Sequence, residues 1–173
     1  MSNALTVEAP EGLPFIDTTR EFDAPVAAVF RAHADPALVA RWMGPHGYTM
    51  DVGAWDFRSG GAWSFVHRNP AGETFGFRGT FHTVRENEFA VQTFEFEGVP
   101  DVVSIESMTF EALPAEPGGD EPDGAGRCRL RGHAVYPSVE ARDGMLASGM
   151  ETGMREGYDR LEELVVDTEA SSA

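Results

Sequence analysis

The chain contains no lysine, and all 13 of its basic residues are arginines. A Walker-type phosphate loop depends on its lysine, and Schiff-base or pyridoxal chemistry needs an amine nucleophile, so both classes are excluded. Positive charge is scarce altogether, with 29 acidic residues against those 13 and a formal net charge of -16. Nucleic acids and anionic membranes are bound through basic patches, so this balance argues against both partners. A single cysteine, Cys128, excludes an intrachain disulfide. No run reaches the roughly 20 apolar residues of a membrane span. Residues 1–14 have neither the basic start nor the apolar stretch of a secretory signal. The expectation is a soluble cytoplasmic protein without membrane insertion. The five histidines and the cysteine show no metal-ligand spacing, and no Gly-x-Ser-x-Gly nucleophile turn occurs. Neither a metal nor a cofactor is expected.

What the chain does have is aromatic and patterned. It carries 12 Phe and 3 Trp in 173 residues, enough for one domain with a sizeable core. Residues 1–16, with Pro10, Gly12 and Pro14, read as an extended lead-in, 17–166 as a single domain and 167–173 as a flexible tail. Prolines, glycines and acids make 113–126 a mobile loop. A short strand at 18–22 precedes a helix begun by Asp23 and Pro25. A second helix follows, with Asp35 as its cap and Pro36 at its first position, ended by Gly44-Pro45. Strands are expected at 48–57, 62–68, 74–84, 88–97, 102–112 and 127–136. The last is the clearest, because Arg127, Arg129, Arg131 and His133 alternate with Cys128, Leu130, Gly132 and Ala134. That row of arginines reads as a solvated strand face, with an acidic partner as the alternative. In 102–112 the register stays open: Val103 and Ile105 favour one face, Met108 and Phe110 the other, and Glu106 goes with the second pair.

Residues 138–166 read as one long helix capped by Ser138, with Met150, Met154, Tyr158, Leu161 and Val165 at helical spacing. Gly149, Gly153 and Gly157 then share a helix face, which suggests either close backbone approach or open space beside the sheet.

The segments Arg20-Glu21-Phe22-Asp23-Ala24-Pro25, Arg41-Trp42-Met43-Gly44-Pro45 and Asp56-Phe57-Arg58-Ser59-Gly60-Gly61-Ala62-Trp63 are similar to one family. So are Gly79-x-Phe81 and the helix end Arg160-Leu161-Glu162-Glu163-Leu164. Over about residues 18–166 the chain resembles the bacterial branch of the START-like, helix-grip (SRPBCC) superfamily. That branch is named after the C-terminal domain of the activator of a heat-shock chaperone ATPase. The resemblance implies an α+β helix-grip fold of β-α-α-β6-α order, a curved antiparallel sheet wrapped around a long C-terminal helix. It also implies a chamber for an apolar molecule, since many members of the superfamily bind lipids, sterols or polyketides there. Many relatives carry two consecutive tryptophans before Gly-Pro, whereas this chain has Met43 in the second place.

The expected lining of that chamber is Trp42, Met43, Tyr48, Trp63, Phe65, Phe75, Phe77, Phe81, Phe94, Phe96, Met108, Phe110, Met150 and Met154. The Asp56 to Gly61 motif reads as hairpin architecture. His46 and Glu106 are the candidates for an acid or base, with no second convergent group to make a catalytic set. The function expected first is binding of a small apolar or amphipathic ligand between sheet and helix. A protein-interaction module serving a chaperone, or pairing with a second copy as a homodimer, is the alternative. A cyclase- or hydrolase-type enzyme ranks last.

Overall fold

The structure, a computed structural model, describes residues 3–114 and 126–170, with side chains of the last helix up to 167. Its elements in chain order are β1 (Thr6–Glu8), β2 (Phe15–Phe22), α1 (Val26–Ala34), α2 (Pro36–Trp42) and β3 (Thr49–Trp55). There follow β4 (Ala62–Arg68), β5 (Thr74–Arg85), β6 (Phe89–Phe96), β7 (Val103–Leu113) and β8 (Arg127–Val135), then α3 (Val139–Ala147) and α4 (Met150–Ala170). The strands form one antiparallel sheet in the order β1-β2-β8-β7-β6-β5-β4-β3. The helices lie on its concave side, and the α+β helix-grip architecture stands as expected.

Local chemistry accounts for most boundaries. Asp35 accepts from the Ala37 amide at 2.9 Å and Pro36 opens α2. Ser138 accepts from the Ala141 amide at 3.1 Å at the start of α3. Gly60 turns the loop between β3 and β4 at φ +82°, and a Cβ on Gly61 would lie 1.9 Å from the Asp56 carbonyl oxygen. Arg58 pairs with Asp56 beside it. This motif is architecture, as its composition suggests.

Four expectations are corrected. The lead-in is not merely extended: β1 pairs with β2, Leu5 is buried, and Phe15 and Ile16 already belong to β2. The buried Arg142 fastens this stretch by donating to the carbonyls of Pro10 and Phe15. Asp23 does not cap α1, because Pro25 holds that place and Asp23 pairs with Arg127. The C-terminal segment is two helices rather than one, broken at Ser148-Gly149, where Gly149 takes a left-handed φ of +85°. Finally, 167–170 continues α4 instead of starting a tail. Most of the expected loop at 113–126, and 171–173 of the tail, lie outside the described residues.

Two apolar clusters hold the molecule together. One gathers Phe22, Val29, Phe30, Trp42, Phe110, Leu130 and Leu161 between the sheet, α1, α2 and the C-terminal half of α4. The other stacks Val39, Met50, Trp63, Phe65 and Phe81 over β3 to β5. The arginine row of β8 lies on the outer face, where Glu21, Asp23 and Glu111 neutralise it from neighbouring strands.

Candidate functional site

Pairing register decides what the concave face presents. Phe81, Gln92, Glu106, Ala134 and Ile16 are cross-strand neighbours on β5, β6, β7, β8 and β2. Val84, Ala90, Met108, Gly132 and Thr18 make the next row. Side chains opposite one another in a ladder share a face, so Glu106 points inward with Met108 and Phe110. The ambiguity in β7 is resolved by exposure: Ile105, at 57%, and Val103, at 40%, sit on the outer face.

The middle of the concave face is thus floored by small or polar side chains. Thr18, Gly132, Ala134, Gln92 and Glu106 are all half-buried. Tyr158 of α4 faces the same region and is half-buried as well, although its ring touches Phe22 and Trp42. Glu106 accepts from Gln92 Nε2 at 3.1 Å and from Ser104 Oγ at 3.3 Å. Removal from bulk water pushes its carboxyl above the usual carboxylate range, partly offset by those two bonds. Burial, and then the Glu106 charge, raises the hydroxyls of Tyr136 and Tyr158 in turn.

The expected lining divides in two. Trp42, Trp63, Phe65, Phe81 and Phe110 are packed inside the two core clusters. Met43, Tyr48, Phe75, Phe77, Phe94, Phe96, Met108, Met150 and Met154 are half-buried. Phe77 brings several of these together, with ring centroids 5.6 Å from Phe94 and 5.1 Å from Phe96. Tyr48 stacks on Phe75. Met150 and Met154 lie two turns and one turn ahead of Tyr158 on the same face of α4.

Of the two parts expected for the glycine stripe, close backbone approach is the one observed. Gly149 ends the first helix, while Gly153 and Gly157 let α4 approach the loop after α2. A Cβ on Gly153 would lie 3.3 Å from Pro45, and one on Gly157 3.2 Å from the Trp42 carbonyl oxygen. Close backbone contact, not open space, is what these two glycines provide.

His46 is exposed on that same loop. Its amide donates to Glu156 and its ring lies 3.3 Å from the Arg160 guanidinium, so it does not join Glu106 on the concave face. The histidine that does face inward is His67 on β4, 7% exposed, among Tyr48, Phe65 and Phe77. Its Nε2 is buried without a partner, and burial, followed by the charge of Arg160, holds its pKa down. Sequence reasoning also passed over Gln92 and Ser104. Each stands in phase with inward neighbours, Gln92 with Phe94 and Ser104 with Glu106, and a polar residue in an inward phase was the available signal. Cys128 is buried and its thiol is pushed up to about 12, the behaviour of an inert core residue. The outer face carries a separate hollow of about 410 Å³, bordered by Ser64, Arg78, Thr80, Thr93 and Val103. Among the described residues no cluster of His, Cys, Asp and Glu is arranged to hold a metal ion. No helix among them is long and apolar enough to cross a membrane.

Comparisons with known proteins agree with this architecture. A family model described as Activator of Hsp90 ATPase homolog 1-like protein matches residues 23–166. A crystal structure from Rhodobacter sphaeroides is 22% identical at a TM-score of 0.79, over 95% of this chain and 99% of its own. One from Mycobacterium smegmatis is 25% identical at a TM-score of 0.76, over 92% of this chain and 94% of its own. A solution structure from Arthrobacter aurescens is 23% identical at a TM-score of 0.78, covering 94% and 91% of the two chains. The comparison with curated proteins finds no match. The shared architecture is the START-like helix grip.

Proposed function

Because the chain belongs to the family of Activator of Hsp90 ATPase homolog 1-like proteins, in a fold suited to ligand binding or interaction, we propose that it binds a small apolar or amphipathic molecule between the sheet and α4. One observation carries this reading. Inward side chains on both walls, Thr18, Gln92, Glu106 and Met108 on the sheet and Met154 and Tyr158 on the helix, keep accessible surface although sheet and helix flank them. A closed core leaves no such surface; Phe22 and Phe81, inward on β2 and β5 of the same sheet, are fully buried. The half-buried Phe77, Phe94 and Phe96 supply apolar wall, and Glu106, Gln92 and Tyr158 supply a few convergent polar groups. That mixture is typical of small-molecule sites.

Native mass spectrometry of freshly purified protein, followed by organic extraction, tests the reading. A stoichiometric apolar or amphipathic molecule, lost in Met154→Glu, is the expected result. Protein that carries nothing, and takes up nothing from a panel of lipids and polyketides, overturns it. Attention would then pass to protein contacts, for which Val103, Ile105 and Val135 on the outer face are the exposed apolar residues.

A further inference from the structure

Glu106 is an interior acid whose partners are both neutral. Gln92 Nε2 and Ser104 Oγ each donate one hydrogen bond to it, and among the described residues no cation pairs with its carboxylate. The inward cation of this region, Arg20, is committed elsewhere: it meets Asp159 at 2.8 Å and Glu162 at 3.7 Å on α4. A carboxylate has about four lone-pair sites, so two bonds leave acceptor capacity over. Glu106 is half-buried on the inward face of β7 and close enough to Tyr158 of α4 for its charge to act on that hydroxyl. The aromatic faces of Phe94 and Phe96 occupy neighbouring inward positions on β6, next to Gln92. A half-buried acid without a cationic partner, with Phe94 at the next inward position of the neighbouring strand, is complemented by a cation that also carries apolar surface.

We propose that Glu106 is the counter-ion for a hydrophobic amine, whose ammonium group binds the carboxylate while its apolar body lies against Phe77, Phe94 and Phe96. This rests on the reading of the concave face as a binding site. The net charge of -16 works in the same direction, concentrating cations and repelling fatty acids. Burial raises the Glu106 carboxyl, and an arriving ammonium reverses that by favouring its charged form. Arg20 does not compete for the site, because its own pair of acids holds it.

Calorimetric titration of the full chain at pH 7 with decylamine, decanol and decanoate is the test, since the three share one apolar body. Decylamine is expected to bind about 10-fold or more tighter than decanol, as a charge-assisted bond does over a neutral one, with decanoate weakest. In Glu106→Gln the amine should lose that advantage while decanol binds within about 2-fold of wild type. Equal binding of decylamine and decanol by the wild-type protein overturns the inference and leaves the binding site standing. So does an amine preference that survives Glu106→Gln. Failure of all three to bind wild-type protein removes the binding reading and this inference together. Should Glu106→Gln not fold, the wild-type ranking is compared at low and high sodium chloride: a preference owed to net charge fades with screening and overturns the inference, whereas one owed to the interior Glu106 persists.

Discussion

The last carbonyls of α1 have no partner within their helix, and two indoles supply them. Trp42 Nε1 donates to Ala32 O and Trp55 Nε1 to His33 O, each at 2.9 Å. Trp55→Phe keeps an aromatic ring but strands a helix-end carbonyl, so a loss of about 1–2 kcal/mol is expected in urea denaturation. The His33 ring packs on Trp42 and Phe110; its Nδ1 bonds the Val29 carbonyl oxygen at 2.7 Å while Nε2 is buried and unpartnered. Burial lowers its pKa from 6.5 to about 4. The unfolded chain therefore takes up this proton first as pH falls. Stability drops between about 6.5 and about 4, by up to about 3 kcal/mol for His33 alone. His67, also held down, adds to the loss, whereas the raised Glu106 carboxyl opposes it by taking a proton more readily in the folded state. His33→Phe should flatten the difference in unfolding free energy between pH 7 and pH 5. An unchanged slope would mean that His33 is not the titrating group.

Among the elements, the C-terminal pair of helices separates three glycines that composition alone makes equivalent. Gly144 lies inside α3, where an added Cβ would have nothing within 4 Å, so Gly144→Ala should stabilise by about 0.5–1 kcal/mol through helix propensity. Gly149 stands at φ +85° between α3 and α4, and Gly149→Ala should destabilise by about 1 kcal/mol. Gly157→Ala would press a methyl group against backbone of Trp42 and Gly44 at 3.2–3.6 Å and should also destabilise. Thermal midpoints of the three variants check the signs. The reading of one continuous helix failed here because 149, 153 and 157 keep helical spacing whether or not the chain bends. Strand boundaries fared better: six stretches were legible within a residue or two, from period-two alternation and turn residues. Strand β7 was the exception in register, because Val103 and Ile105 are apolar on the outer face and blur the pattern.

At the scale of the whole molecule, a net charge of -16 on 18.8 kDa acts against compactness. The ladder of Glu21, Arg129, Glu111 and Arg131 on the outer face opposes it locally. Exposed pairs of this kind contribute little each, so self-repulsion should prevail. The thermal midpoint at pH 7.5 is expected to rise between low and high sodium chloride, as screening shortens the reach of charge. A fall would assign the ladder the larger share. The helix caps at Asp35 and Ser138, the wet and dry faces of β8, the glycine hairpin after Asp56 and the order of most elements were legible from the order of residues. These rest on short-range rules of spacing and capping that any local segment carries. It took the folded arrangement to show that 3–16 adds an edge strand, that Gly153 and Gly157 seat α4 on the loop after α2, and which aromatic residues are sealed in core. That arrangement also brought Gln92 and Ser104 into hydrogen bonds with Glu106 and set Tyr158 within reach of its charge. The physical reason is that strand register and helix approach are set by partners up to 139 residues apart in the chain, as the bond from Arg20 to Asp159 illustrates.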